Sequence, residues 1–221
     1  MVSFDIFDTL ITRKTATPEG IFVLMQDELQ QNSKYDVLNE HVRWNFYDLR
    51  VNTEKIARLS AWYRKLDDIS LENIYEGMGL NGYLSKEEQV LLCELEREVE
   101  IENILPITRN INLLKSYVEN GEKVVLISDM YLDLETILQM LKKADPMLAD
   151  LPVYVSSTYG KNKFGGELYR LVAQCEQVEY IDWIHYGDNE KSDYEVPKRF
   201  GINAKLVIRE KLLPCEDALL K

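Results

Sequence analysis

Short apolar runs and amphipathic stretches alternate from residue 108 onward, and this alternation constrains the fold more than any other feature of the 221-residue chain. The β-rich runs cover residues 124 to 127, 153 to 155, 181 to 186 and, more weakly, 206 to 208, and a similar run at residues 2 to 7 opens the chain. Stretches with helical spacing cover residues 111 to 118, 134 to 143 and 166 to 177, and a short one reaches Gly201. Strands that alternate with helices pair in parallel through right-handed crossovers. The sequence therefore predicts an α/β protein with a Rossmann-like parallel five-stranded sheet as its core.

Residues 15 to 105 have a different pattern, with strong helix signals and little sign of strands. Helix starts are indicated by Pro18 after Thr17, by Asp36, by Ser70, and by Ser85 with Glu88 three residues later. We therefore expect about four helices, inserted as a cap domain (residues 15–105) into a core domain made of residues 1–14 and 106–221. Because the insertion leaves the first strand and returns before the second, it should lie over the carboxyl ends of the strands, where open α/β sheets bind ligands.

Polar residues follow the predicted strands at the point where each one ends. They are Asp5 and Asp8, Ser128 and Asp129, Lys161 and Lys163, and Asp188 and Asp193. The carboxyl ends of parallel strands meet at one edge of the sheet, so these side chains should line one pocket. His185 lies inside the apolar run before Asp188, and we interpret it as a buried strand residue rather than a catalytic base.

This set of side chains suits phosphoryl transfer. A carboxylate that approaches a phosphate dianion meets a repulsion of about 4 kcal/mol per charge pair at 4 Å when the effective dielectric constant is near 20. Lys163 can supply one positive charge, and the carboxylates of Asp5 and Asp188 can hold Mg²⁺, which prefers oxygen ligands. Ser128 can donate a hydrogen bond to a transferring oxygen. Further donors would be the backbone N–H groups around Phe7, Asp8 and Asp129.

Four segments resemble, in order, the four motifs of the haloacid dehalogenase (HAD) superfamily of phosphohydrolases and related enzymes. They are SFDIFDTL, VVLISD, KNKFGGELY and YGDNEKSD, and together they span residues 2 to 193. That family also places a cap between its first and second motifs. The resemblance implies the following roles: Asp5 as nucleophile and metal ligand, Ser128 and Asp129 as phosphate-binding residues, Lys163 as the neutralising cation, Asp188 as the second metal carboxylate, and Asp193 as the residue that orients Lys163 or a metal-bound water. Lys161 competes with Lys163, and the spacing to GGELY favours Lys163.

Phe7 stands two residues after Asp5, where most phosphatases of that family have a second aspartate that protonates the leaving group and later activates water. The family uses the backbone carbonyl of this position for metal, so Phe7 can still be a ligand, but its ring cannot transfer a proton. Asp8 lies one residue too far along to be assumed a substitute. General acid/base catalysis contributes about 10²- to 10⁴-fold. We therefore expect a Mg²⁺-dependent phosphohydrolase or phosphotransferase restricted to activated phosphates, unless a cap residue supplies the proton.

Two other functions fit the same residues. Without an acid/base aspartate the chain is compatible with a non-catalytic binding or scaffold domain, and FDIFDTLITR, SDMYL and HYGDN resemble predicted HAD hydrolases associated with glycosyltransferases of polysaccharide biosynthesis. An aromatic residue at this place also resembles the dehalogenase branch, which attacks carbon without a metal. Asp188 and Asp193 favour Mg²⁺ over that alternative. A receiver domain of two-component signalling is disfavoured because it lacks a large insertion after its first strand.

The charge of the chain limits its partners. With 38 acidic and 26 basic residues the net charge is −12, and such a chain lacks the general basic surface that nucleic acids and anionic membranes require. No apolar run approaches the length of a membrane span, no secretory signal is evident, and the three cysteines are widely spaced. We therefore expect a cytoplasmic enzyme whose partner is a small phosphorylated metabolite.

Overall fold

The strands form two sheets. The computed structural model describes residues 1–66, 68–80, 82 and 84–207. Its strands are β1 (Val2–Phe4), β2 (Ile11–Arg13), β3 (Ile104–Pro106), β4 (Val124–Ser128), β5 (Val153–Val155), β6 (Ile184–Gly187) and β7 (Asn203–Leu206). Five of them form a sheet in the order β5-β4-β1-β6-β7, in which every neighbouring pair is parallel, while β2 and β3 pair in antiparallel orientation. The predicted α/β class and five-stranded parallel sheet are confirmed.

Both faces of the large sheet are buried. In β4, Val124 and Leu126 belong to one apolar cluster, and Val125 and Ile127 belong to a second cluster on the opposite face, as the two-residue period of a strand requires. β1 alternates in the same way, so Ser3 lies on the second face, where a buried tryptophan binds its hydroxyl. Strands that are buried on both faces have continuous apolar sequences, which is why these strands could be located from the sequence.

Ten α-helices accompany the strands in the described residues. They are α1 (Gly20–Gln31), α2 (Glu40–Trp44), α3 (Phe46–Tyr63), α4 (Leu71–Leu80), α5 (Lys86–Glu102), α6 (Thr108–Glu119), α7 (Leu134–Ala144), α8 (Ser156–Tyr159), α9 (Glu167–Glu176) and α10 (Val196–Phe200). The first five lie between β2 and β3, inside the predicted insertion, where about four were expected. None of the helices in these described ranges is long and apolar enough to cross a bilayer.

Local signals explain where two inserted helices begin. The Ser85 side chain accepts the amide hydrogen of Glu88 while the Glu88 side chain accepts that of Ser85, which is the predicted capping box at the start of α5. The Ser70 hydroxyl accepts the amide hydrogen of Asn73 at the start of α4. Asp36 does not open a long helix, because it ends the 3-10 turn Ser33–Tyr35 and the long helix α3 begins ten residues later.

The inserted helices and one face of the sheet share an apolar cluster. It joins Val2 and Phe4 of β1 to Ile21 and Met25 of α1 and to Leu92 of α5, all of which are buried. This packing holds the insertion against the sheet. The division into a cap of residues 15–105 and a core of residues 1–14 and 106–221 stays a prediction.

The first strand is shorter than predicted. β1 ends at Phe4 rather than at residue 7 because the amides of Leu10 and Ile11 both donate to the carbonyl of Ile6, which closes a tight turn, and Asp8 has a left-handed φ of 55°. The β2–β3 pair was not predicted, since strands of three residues carry too little periodicity. Residue 208, at the end of the last predicted strand, lies outside the described residues, as do residues 209–221 of the predicted core domain.

Candidate active site

The end of β1 places Asp5 beside the end of β6. Phe4 is paired with Tyr186 of β6, and the amide of Asp5 donates to the carbonyl of Tyr186 over 2.8 Å. β6 finishes one residue later at Gly187, and Asp188 follows it. β1 lies at the centre of the sheet: the chain passes from β1 to β4 and β5 on one side and then crosses to β6 and β7 on the other. Such a switch point is where open α/β sheets form a crevice for ligands.

Lys163 is buried between two carboxylates. Its Nζ donates to Asp5 Oδ1 over 2.5 Å and to Asp193 Oδ1 over 2.6 Å, and the residue is 2% exposed. Lys161, the competing residue, is half-buried, and the two ion pairs are made by Lys163. The lysine that the motif spacing favoured is therefore the one that contacts Asp5.

Asp193 is held in place by the turn that follows β6. Glu190–Glu195 form a π-helical turn, and the amide of Asn189 donates to Asp193 Oδ2 over 3.1 Å. Gly187 permits the close approach, because a Cβ at this position would lie 2.4 Å from Cβ and Cγ of Asp193. Nε2 of His185 lies 3.3 Å from Asp193 Oδ1. His185 is a buried strand residue, as interpreted from the sequence, but its contact with the site was not foreseen.

Three carboxylates cluster at the site. One oxygen from each of Asp5, Asp188 and Asp193 lies within 4.8 Å of the others, and the buried Lys163 ammonium faces two of these groups. Burial raises the pKa of Asp5 well above its usual range; Lys163 opposes this effect, and the other two carboxylates add to it. The Lys163 ammonium therefore does not fully offset the cost of burying the Asp5 carboxylate.

Asp193 and Lys163 form the stable ion pair of the site. Burial by itself would raise the pKa of Asp193, but Lys163 and His185 outweigh it and hold that pKa below its usual range. Burial by itself would lower the pKa of Lys163, but Asp193 and Asp5 outweigh it and raise that pKa well above its usual range. Burial lowers the pKa of the enclosed His185 imidazole. Asp193 is therefore an anion and Lys163 a cation at neutral pH.

The donor set fits a magnesium ion. A hard divalent cation prefers oxygen ligands, and the three carboxylates of the cluster offer oxygens within 4.8 Å of one another. Both Asp5 and Asp193 accept hydrogen bonds on their two carboxylate oxygens, so these contacts do not single out the ligands. Asp5 and Asp188 belong to the carboxylate cluster. That these two residues and the backbone carbonyl of Phe7 would hold the ion stays a prediction.

The segment that follows β4 connects two of the motifs. Ser128 is the last residue of β4 and is 1% exposed. The carboxylate of Asp129 accepts the amide hydrogens of Lys163 and Phe164 over 2.7 and 3.3 Å, so it orders the backbone that carries the buried lysine. The phosphate-binding roles of Ser128 and Asp129 stay predictions, and this contact of the Asp129 side chain was not foreseen.

The loop after β1 provides a second donor to the nucleophile. The Thr9 hydroxyl donates to Asp5 Oδ2 over 3.3 Å, while Lys163 donates to Oδ1. Thr9 was not among the predicted site residues; its signal is its place four residues after Asp5 in a loop that turns back on itself. The backbone amide of Asp8 was expected to face a phosphate, but it donates to the Ile11 carbonyl over 2.6 Å. The side chain of Asp8 accepts a hydrogen bond from the Thr12 hydroxyl on Oδ1 over 2.7 Å.

Phe7 forms part of the wall of a cleft of about 510 Å³. The Arg13 guanidinium lies 4.6 Å from the centre of the Phe7 ring, and two hydrogen bonds of 2.8 Å hold it to Glu100 of α5. The strand-end loops contribute Phe7, Asp8 and Asp129 to the cleft, and α1 and α3 contribute Phe22, Glu54 and Arg58. The cleft thus lies between the edge of the sheet and the inserted helices. Of the predicted site residues, Phe7 and Asp129 line it, whereas Asp5, Ser128, Lys163 and Asp193 do not.

Several solved structures share this architecture. The L-2-haloacid dehalogenase of Xanthobacter autotrophicus aligns with a TM-score of 0.60 over 95% of this chain and 78% of its own, at 15% identity. A HAD family enzyme of Bacteroides thetaiotaomicron, in complex with magnesium and inorganic phosphate, aligns with a TM-score of 0.60 over 97% and 96%, at 14% identity. The 2-haloacid dehalogenase of Pseudomonas syringae pv. Tomato aligns with a TM-score of 0.57 over 91% and 83%, at 17% identity.

These similarities show the fold of the protein. No protein-family model matches the sequence, and neither does a curated protein. The chain is an α/β protein with an acidic cluster and a buried lysine at the carboxyl edge of its parallel sheet. More specifically, the chain has the fold of the HAD superfamily. Because one fold serves many reactions, the activity has to be argued from the site.

Proposed function

We propose that this protein is a HAD-type hydrolase, a Mg²⁺-dependent phosphohydrolase or phosphotransferase that acts through an aspartyl phosphate on Asp5. The observation that carries the proposal is the buried Lys163 ammonium, which binds both Asp5 and Asp193 while Asp188 lies in the same cluster. The neighbour from Bacteroides thetaiotaomicron that holds magnesium and inorganic phosphate supports it. The substrate would be a small phosphorylated metabolite of the cytoplasm, and the cleft has the size of a small-molecule site.

The proposed reaction has two steps. An oxygen of Asp5 attacks phosphorus, and the bond to the leaving oxygen breaks with its electron pair remaining on the leaving group. Water, or an acceptor hydroxyl in a phosphotransferase, then attacks the aspartyl phosphate and restores the Asp5 carboxylate. Lys163 stays charged throughout, because its two carboxylate partners raise its pKa, and it therefore offsets phosphate charge rather than donating a proton. Ser128 would donate to a phosphate oxygen, and a bound Mg²⁺ would supply further positive charge.

The absence of an acid at position 7 limits the leaving group. The Asp8 carboxylate is bound to the Thr12 hydroxyl. Burial raises the pKa of Glu54, which lines the cleft, but Arg50 and Arg58 outweigh it and hold this pKa below its usual range, so Glu54 is not a proton donor at neutral pH. We therefore propose acyl phosphates or other phosphoric anhydrides as substrates, because their leaving groups depart without protonation.

The test compares acetyl phosphate with a panel of sugar phosphates, in Mg²⁺ and in EDTA. We expect Mg²⁺-dependent release of phosphate, with kcat/KM for acetyl phosphate at least about 10²-fold above that of the phosphomonoesters, the size of a missing acid/base contribution. Asp5→Asn and Lys163→Gln should abolish turnover, and Lys161→Gln is the matched control that keeps it. Equal rates on the two substrate classes would contradict the restriction to activated phosphates, and an absence of turnover on both would contradict phosphatase activity.

A dehalogenase is the second candidate, favoured by Phe7 and by the dehalogenases among the structural neighbours. Asp5 would then displace halide from carbon, and water would hydrolyse the resulting ester. Such a reaction has no use for Asp188, whose charge raises the pKa of Asp5 and opposes its ionisation. We expect no chloride release from 2-chloropropionate in EDTA. Release that Asp5→Asn abolishes and Mg²⁺ does not increase would replace the phosphatase proposal.

A non-catalytic binding or scaffold domain is the remaining alternative, motivated by the missing acid/base aspartate. Beryllofluoride, a mimic of the phosphoryl group, separates it from an active site. A competent pocket should bind beryllofluoride in the presence of Mg²⁺, and Asp5→Asn should lose this binding. A protein that neither binds the mimic nor turns over any phosphate would be assigned to the binding class.

A further inference from the structure

A chain of buried hydrogen bonds runs from the second face of the sheet to the candidate site. The indole Nε1–H of Trp183 donates to Ser3 Oγ over 2.7 Å, and Ser3 Oγ lies 2.7 Å from His185 Nδ1. On its other side, His185 Nε2 lies 3.3 Å from Asp193 Oδ1. Trp183, Ser3 and His185 are fully buried, and Asp193 is 1% exposed. The chain of hydrogen bonds continues through Lys163 to Asp5.

The groups on the two sides of His185 fix which atom donates in each hydrogen bond of this chain. An indole N–H can only donate, so Ser3 Oγ accepts from Trp183 and has its own hydrogen to give. Within the described part of the chain, Nδ1 of His185 is the acceptor that this hydroxyl reaches. At the other end, the carboxylate of Asp193 is paired with Lys163 and can only accept. Both ends therefore require a neutral imidazole with its hydrogen on Nε2.

We infer that His185 is a positioning residue: as the Nε2–H tautomer it holds Asp193, and Asp193 in turn holds Lys163 against Asp5. This inference rests on the proposed function, because it concerns how the catalytic side chains of the same site are held in position. Asp193 Oδ1 accepts from His185 and Lys163, and Oδ2 accepts from the amide of Asn189. The carboxylate thus has three donors and little freedom to rotate.

An uncharged N–H donor from His185 suits the Asp193 carboxylate better than a charged one. A second full positive charge beside Asp193 would compete with Lys163 for the carboxylate, whereas an uncharged N–H holds it and leaves the ion pair intact. The Tyr169 ring packs edge-on against the imidazole, with 5.2 Å between the ring centres and 82° between the planes, so the ring of His185 is fixed in orientation as well. Ser3 on one side and Asp193 on the other set its tautomer.

The direct test is the tautomer itself. The chain has two histidines, and His41→Gln, on the exposed surface of α2, leaves His185 as the single imidazole. Long-range ¹H–¹⁵N correlation spectra of the ¹⁵N-histidine-labelled protein distinguish a protonated Nε2 from a protonated Nδ1. We expect the Nε2–H form near neutral pH, and Ser3→Ala should keep it because the Asp193 carboxylate still requires a donor. An Nδ1–H tautomer or an imidazolium in the parent protein would overturn the inference.

A pair of isosteric variants tests the consequence for the reaction. The amide nitrogen of His185→Gln falls near Nε2 and can still donate to Asp193, whereas the amide of His185→Asn falls near Nδ1 and cannot reach it. With acetyl phosphate and Mg²⁺, kcat of the Gln variant should stay within about threefold of the parent, and kcat of the Asn variant should fall at least about tenfold with KM little changed. Equal losses in both would overturn the positioning role. If the parent turns over no phosphate, the proposed function fails, while the spectrum still decides the tautomer.

Discussion

Among single residues, Gly187 is the one whose lack of a side chain the site requires most directly. An added Cβ would lie 2.4 Å from Asp193, so Gly187→Ala must displace the carboxylate and loosen its pair with Lys163. We expect kcat on acetyl phosphate to fall by about 10²-fold, the cost of misplacing a catalytic group by roughly 1 Å.

Gly121→Ala provides the control for this substitution. Gly121 has a φ of +76°, and an added Cβ would meet nothing within 4 Å, so the change costs about 1–2 kcal/mol of backbone strain far from the site. Its activity at a temperature where it is folded should match the parent. A Gly187→Ala enzyme that is equally destabilised but fully active would show that Asp193 tolerates displacement.

The buried Asp5 carboxylate should make the stability of the protein depend on pH. Because its folded pKa lies above the usual value, the stability that Asp5 contributes is complete below its unfolded pKa and is lost as pH rises through the folded pKa. In EDTA, Asp5→Asn should therefore have a higher Tm than the parent at neutral pH, and the difference should shrink in acid. Each kcal/mol corresponds to about 2–4 °C for a protein of this size. A lower Tm for the variant at neutral pH would mean that the ion pair with Lys163 outweighs the burial of the charge.

Among the elements, three inserted helices meet at one buried charge. Arg50 of α3 donates to Glu96 of α5 over 2.8 and 2.6 Å, and both side chains are fully buried. Tyr75 of α4 donates to the same carboxylate over 2.6 Å. The Arg50 guanidinium also lies 5.0 Å from the ring centre of Tyr131, which follows β4. This network therefore links the insertion to the loop that carries the second motif.

Breaking this network should be costly. Arg50→Met leaves the Glu96 carboxylate buried and uncompensated, so we expect the free energy of unfolding to fall by about 3–5 kcal/mol. Arg58→Met removes a guanidinium that is 51% exposed on the same helix, and it should cost about 0–1 kcal/mol. Urea denaturation of the two variants measures the difference. Similar small losses in both would show that the buried pair contributes no more than a surface one.

For the whole molecule, the site lies between the sheet and the inserted helices, so a ligand there should stabilise the complete fold. Binding of Mg²⁺ to the native state alone adds about 2.7 kcal/mol at 100 times Kd. We expect Tm to rise with Mg²⁺ concentration in the parent, and to rise much less in Asp188→Asn. Sodium chloride at matched ionic strength controls for screening. An equal Mg²⁺ response in the parent and in Asp188→Asn would remove Asp188 from the metal site.

The core could be predicted from the sequence because its signals are local. The buried strand β4 reads as a continuous apolar run, and the box of Ser85 and Glu88 marks the start of α5 within four residues. Signals that depend on distant partners were missed: β2 and β3 are three residues each and pair across the insertion, and the early end of β1 depends on the turn closed at the Ile6 carbonyl.

The sequence by itself determined the class of sheet, the order of its acids, hydroxyl and lysine along the chain, and the place of the helical insertion, because periodicity and strand-end polarity are written in neighbouring residues. Only the tertiary structure decided that Lys163 rather than Lys161 contacts Asp5, 158 positions away, and that Thr9 and His185 complete the hydrogen bonds of the two aspartates. The Lys163 contact arises where separate strands are brought side by side, which no short stretch of sequence encodes. The other two contacts depend on how the turns after β1 and β6 fold back, which residue periodicity does not reveal.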